Sequence, residues 1–231
     1  MSEVRSESLW SERRWERYAP LAGVLAVILW VISIFVVDSA DAPDEDAGAQ
    51  EIAAYFESEG GTILAGSFIF MVGTAVFIWF LGSLRARLFW AEGGPGRVTA
   101  IVFGSGLVVA AMSMGLMAPQ AAGGLMAEET EAAIDPGAAQ ALNALGDGFF
   151  VAAEATVFVF FLAVALAAFR TRALPIWLGW ASLVLGLVAL VPLVGWAVYI
   201  WGLPLWVLVV SIWLYMRPVG PVRTEAPATL P

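Results

Sequence analysis

The sequence predicts an all-α fold: a polytopic bundle of about six membrane-crossing helices with no sizeable soluble domain. Three observations carry that prediction. Hydrophobic residues make up 61% of the 231 residues and charged residues only 13%, about half the charged share of an ordinary soluble domain. The charges are clustered, so Leu21 to Val37 and several later stretches contain none, which suits lipid as the solvent. Every arginine flanks these stretches on one and the same side, the pattern left when cytoplasmic flanks retain positive charge during insertion.

A bilayer core about 30 Å thick needs about 20 helical residues at 1.5 Å each. On that measure the chain divides into a cytoplasmic segment 1–19, a transmembrane bundle 20–216 and a disordered cytoplasmic tail 217–231. The spans fall near 20–37, 62–84, 98–118, 148–169, 174–194 and 196–216, with acidic outer loops at 38–61 and 119–147.

The first span is followed by Ala40-Asp41-Ala42, a small-x-small pattern like a signal-peptide cleavage site. Its apolar core of about 18 residues is too long for a typical signal peptide, so it is expected to stay as a signal anchor. In the first outer loop Ile52, Tyr55 and Phe56 are spaced i, i+3, i+4 among Glu51, Glu57 and Glu59. That spacing predicts a short amphipathic helix that covers the bundle mouth or docks a partner.

Met112, Met114 and Met117 end the third span; only the last two share a face, so they read as packing rather than as a copper site. Asp135-Pro136 reads as an N-cap followed by proline at the first helical position, so the fourth helix is expected to start outside the membrane and run unbroken to Phe169. The fifth and sixth spans meet at Pro192 to Gly195, a tight hairpin, although Gly202 and Pro204 offer a second place to break the helix. Small residues four apart, Gly106 with Ala110, Ala111 with Gly115 and Ser182 with Gly186, signal close helix packing.

Orientation follows from the arginines. Arg5, Arg13, Arg14 and Arg17 precede span one; Arg85, Arg87 and Arg97 separate spans two and three; Arg170 and Arg172 separate four and five; Arg217 and Arg223 follow six. The net charge of −9 hides two opposite faces, because thirteen of the twenty acids and no arginine lie in the two outer loops. Both termini are therefore expected in the cytoplasm, with the chain in the plasma membrane. Trp79, Trp177, Trp180 and Trp213 fall near the inner boundary, Trp196 and Trp201 near the outer, where an indole N–H stays wet. Trp30 and Trp206 lie deeper and are expected to pack between helices.

The chain has no cysteine, no histidine and no lysine. That removes disulfides, thiolate nucleophiles, Cys/His metal sites and the Gly-rich phosphate loop with its lysine. No catalytic residue, metal site or cofactor is expected, and no nucleic-acid partner. Gly146-Asp147 is half of an aspartyl-protease motif, but no second span offers an interior aspartate.

One intramembrane carboxylate stands out. On a continuous fourth helix Gln140, Asn143, Asp147 and Glu154 fall within an arc of about 60°, a polar stripe descending into the bilayer. Glu154 lies roughly 9 Å below the outer end of its span and about 24 Å from Arg170. A carboxylate there is costly and by default a functional hypothesis. Without a cationic partner it is expected to take up a proton. Three readings stay open: a neutral hydrogen bond between helices, a proton or cation site, or the edge of a water-filled ligand cavity.

The run Phe80-Leu81-Gly82-Ser83-Leu84-Arg85-Ala86-Arg87-Leu88, followed by Glu92-Gly93-Gly94-Pro95-Gly96-Arg97, resembles uncharacterised actinobacterial multi-pass membrane proteins. Leu174-Pro175-Ile176-Trp177-Leu178-Gly179-Trp180 is similar to a helix-start pattern in those proteins and in a wider bacterial family of unknown function. The likeness covers most of the chain and rests on helix-boundary motifs, so it implies location and architecture but no activity or binding residue. The expected function is that of a non-enzymatic membrane subunit, scaffold or regulator, in contact with lipid and with a protein partner or a second copy of itself. The alternative is a small-solute or proton-coupled transporter using Glu154.

Overall fold

The computed structural model describes residues 17–40, 42–44, 46–129, 133–191 and 193–217. Arg5, Arg13 and Arg14 of the N-terminal segment, Asp41, Pro192 of the expected hairpin and Arg223 of the tail lie outside them. The protein is an all-α bundle. After a 3-10 turn at Ala19–Leu21 come α1 (Ala22–Asp38), α2 (Ala49–Glu92), α3 (Arg97–Glu129), α4 (Pro136–Thr171), α5 (Ile176–Val188) and α6 (Leu203–Met216). A helical turn, Gly195–Ala197, and a π turn, Val198–Gly202, lead directly into α6.

Neighbours in the chain are neighbours in space. α2 packs on α1, α3 and α4, α4 packs on α3 and α5, and α6 closes back on α1. Among the described residues, five helical stretches are long and apolar enough to cross a membrane: Ala19–Asp38, α2, α3, α4 and Gly195–Met216. α5 has only 13 helical residues, about 20 Å, and continues as turns before Gly195. Large apolar side chains such as Phe35, Phe68, Trp79 and Val151 are well exposed around the bundle, as lipid-facing positions should be.

The stretches expected as acidic loops are mostly helix. α2 is 44 residues long, about 66 Å and more than twice the thickness of a bilayer core. α3 extends to Glu129 and α4 begins at Pro136, with Asp135 as its N-cap accepting from the Ala138 amide at 2.9 Å. Hydropathy falls where a helix leaves lipid, but the helix itself ends only where its backbone bonds or its packing fail. Here a second core persists at this end, built from Ile52, Ala53, Phe56, Ile63, Ile134 and Ala139. The expected amphipathic helix is thus the first turns of α2, with Ile52 and Phe56 turned inward. Glu57 ties the segment to the start of α4 by accepting from the Ile134 amide at 2.7 Å.

At the opposite, arginine-rich end, the α2–α3 turn holds Gly93, Gly94 and Gly96, all at positive φ, a region that favours glycine. Pro95 sits between them, and Glu92 reaches across the turn to cap α3. Its carboxylate accepts from the Val98 amide (2.9 Å), the Thr99 amide (2.8 Å) and the Thr99 hydroxyl (2.6 Å). These bonds, the Thr99 hydroxyl foremost, hold its pKa below the usual glutamate value. A depressed folded value means stability present above the unfolded pKa of about 4.5 and lost as pH falls through the folded one. Glu92→Gln is therefore expected to cost about 1 kcal/mol at neutral pH, like other cap losses. Unfolding titrations below about pH 4.5 should show the wild-type advantage shrinking; parallel curves at all pH values would refute the cap.

The same end gathers the other helix termini. Arg87 donates to the Ala173 carbonyl (3.3 Å) and lies over the Trp213 ring. Burial, and then the charge of Arg217, lowers its pKa from the usual arginine value. The start of α5 and the end of α6 therefore meet at the arginine end, and the α5–α6 turn belongs to the acidic end. In the bundle centre Trp30 and Trp206 are both buried, donating to Thr74 (3.1 Å) and Ser182 (3.0 Å). Gly106 lies against Leu81 and Phe160, Gly115 against Phe149 and Gly186 against Leu162, whereas Ala111 is exposed.

Candidate functional site

Two adjoining cavities open in the acid-rich half of the bundle. The first, about 320 Å³, is walled by α1 (Trp30, Ile34), α2 (Phe70), α3 (Leu116), α4 (Phe150), the π turn (Tyr199) and α6 (Leu203). The second, about 600 Å³, is polar, with Asp44, Tyr55, Ser67, Gln120, Asn143 and Asp147 on its wall. Val37, Ala42, Leu116 and Met117 line both, so the two adjoin along a shared wall: an apolar inner cavity nearer the bundle centre and a more polar one, the vestibule, nearer the acidic end. Volumes of this size are those of small-molecule sites.

Local sequence explains why the helices part here. Pro119 lies inside α3 and cannot donate to the carbonyl of Gly115, one turn earlier. Pro204 raises the same problem for Ile200, and the chain answers with the π turn, in which the Leu203 amide bonds to Val198, five residues back. Isolated π turns often sit at functional sites. The expected break at Gly202 and Pro204 is thus a change of helical winding that puts Tyr199 and Ile200 on the cavity wall.

The buried hydroxyls around the inner part are satisfied. The Tyr199 hydroxyl donates to Ser113 Oγ (2.7 Å), which donates to the Val109 carbonyl (2.8 Å). Ser33 Oγ donates to the Gly66 carbonyl (2.9 Å). Around the vestibule Gln120 donates its amide to Asn143 Oδ1 (3.3 Å), linking α3 to α4. Burial, and then the charge of Glu59, raises the Tyr55 pKa above its usual value, so Tyr55 stays a protonated donor. Ser67 and Ser211 differ: each Oγ is buried without a hydrogen-bond partner, and of the two Ser67 is the one that lines a cavity.

The structure divides the expected polar stripe. Asn143 and Asp147 line the vestibule, Gln140 is exposed, and neither Gln140 nor Glu154 is on the wall of either cavity. Glu154, half-buried, lies against Gly195, where its carboxylate oxygen fills the place of a Cβ. A helical wheel places the four residues on one face of α4, but different neighbours cover that face at successive turns. Sequence reasoning missed Ser67, Gln120, Asp44 and Tyr55. The signal for Gln120 was a side-chain amide one residue past a helix-internal proline; nothing local distinguished Ser67 from the serines that bond their own helix.

Comparison with models of protein families, with curated proteins and with solved structures finds no match of any of the three kinds. Fold and composition define the class: an all-α helical membrane protein.

Proposed function

We propose that this chain is a six-span protein of the plasma membrane with both termini in the cytoplasm, acting as a non-enzymatic subunit or regulator that binds an amphiphilic ligand at its outer face. The observation that carries the reading is the shared wall of Val37, Ala42, Leu116 and Met117 between an apolar and a polar cavity. A ligand with an apolar chain and a polar headgroup matches the two linings. The arginine distribution supports the orientation, and the meeting of α5 and α6 at the arginine end supports α5 as a crossing helix.

A carrier built on Glu154 has less support, since Glu154 packs at the α5–α6 turn away from both cavities. The readings separate in one experiment on the purified protein in nonionic micelles. Native mass spectrometry should show a saturable dodecyl-chain amphiphile retained by the wild type and by Glu154→Gln, and lost in Ile34→Trp, which fills the inner cavity. Retention unaffected by Ile34→Trp, or lost in Glu154→Gln, would overturn the assignment. Orientation is read in the same cysteine-free background: Asp46→Cys should react with an impermeant maleimide in intact cells and Trp90→Cys only after lysis.

A further inference from the structure

Building on the amphiphile-binding reading above, we infer that the vestibule selects a cationic headgroup, a protonated amine, on a single apolar chain. Asp44 and Asp147 lie on the vestibule wall, and Asp38 lies on the wall of the inner cavity beside Val37, which lines both. No arginine lines either cavity. The nearest arginine along α4 from Asp147 is Arg170, about 35 Å away, and along α2 from Tyr55 it is Arg85, about 45 Å away. The negative potential of the vestibule is thus set by carboxylates without local compensation, in a concave site where low-dielectric walls concentrate the field.

A second, independent observation points to a bound group. Ser67 is 1% exposed, lines the vestibule and leaves its hydroxyl without a partner. Ser33, Ser105, Ser113 and Ser182 all donate to a backbone carbonyl; Ser211, also buried without a partner, lies against Gly23 and off both cavities. A buried hydroxyl left open is costly unless something bonds to it. Together with Tyr55 and the Gln120–Asn143 amide pair, the Ser67 hydroxyl offers a small polar head hydrogen bonds that the carboxylates alone do not supply. Trp30, Phe70 and Phe150 line the apolar part, where the chain belongs.

The test uses the full chain in nonionic micelles with three probes: dodecylammonium, dodecyl sulfate and methylammonium, followed by thermal unfolding. The expected result is a saturable stabilisation by dodecylammonium at a concentration at least about tenfold lower than for dodecyl sulfate. That preference should shrink when salt rises from about 0.01 M to about 1 M, which shortens the screening length about tenfold. Asp44→Asn with Asp147→Asn, both at exposed positions, should remove the preference without lowering the unliganded melting temperature, and Ser67→Ala should weaken binding several-fold. Equal binding of the two dodecyl probes overturns the cationic selection and leaves the amphiphile site standing. Binding of neither dodecyl probe overturns both. Methylammonium binding as tightly as the long-chain cation overturns the role of the inner cavity.

Discussion

Replacing Trp206 by alanine is expected to destabilise the bundle by about 3–5 kcal/mol, the range for truncating a large buried aromatic side chain. Trp206 is buried and sits with its ring edge-on to Phe80, Phe160 and Phe161 at centroid distances of 6.3, 5.4 and 5.7 Å. These rings come from α2, α4 and α6, so the cavity left by alanine opens where three helices meet. Association of helices in lipid gains little from the hydrophobic effect and leans on close packing; lost contacts at such a junction are therefore felt in full.

Trp206→Phe separates the two contributions. It keeps most of the ring contacts but removes the 3.0 Å bond to Ser182, worth about 1–2 kcal/mol at most between membrane helices. Ser182 is not orphaned, because it still donates to Leu178. Unfolding in mixed micelles should rank wild type above Trp206→Phe above Trp206→Ala. An alanine variant within about 1 kcal/mol of wild type would mean that the junction is not the centre of the core.

Gly124→Ala is expected to destabilise by about 1–3 kcal/mol, although helix propensity alone favours alanine over glycine by about 0.8–1.0 kcal/mol. A Cβ on Gly124 would stand 2.6 Å from the Gly60 carbonyl oxygen, and one on Gly60 would stand 2.7 Å from Ala127 Cβ. The first neighbour is backbone and cannot swing aside, so α2 and α3 must separate. Their separation would also reshape the vestibule, which both helices line. Gly82 serves as the control: a Cβ there meets nothing within 4 Å, so Gly82→Ala should be neutral or stabilising. Should Gly124→Ala melt with or above wild type, the close crossing is not a determinant of the fold. The effect should also appear as faster proteolysis between residues 119 and 147.

Much of this architecture is legible in the sequence because lipid imposes a simple rule: backbone groups must be satisfied within the segment, so long apolar stretches become helices. The N-cap at Asp135 followed by Pro136 marks the start of α4 for an equally local reason. The extent of α2 is not legible in this way. Hydropathy drops near Gly61, yet the helix begins at Ala49, because Phe56 finds Gly123 on α3 to pack against. No local pattern announces a contact between residues so far apart in the chain.

The candidate site divides along the same line. Asp147 and Asn143 were visible as polar positions on a helix face, and Glu154 as a carboxylate inside a span. Their separation was not visible, since it depends on Gly195 approaching Glu154 while Gln120 approaches Asn143. By itself the sequence determined the all-α class and the separation of acids from arginines, because these follow from solvent and charge acting on each segment alone. The tertiary structure alone decided which polar groups share a cavity and that the open hydroxyl of Ser67 lies beside one. Those outcomes depend on where α1, α3 and the π turn before α6 come to rest against one another.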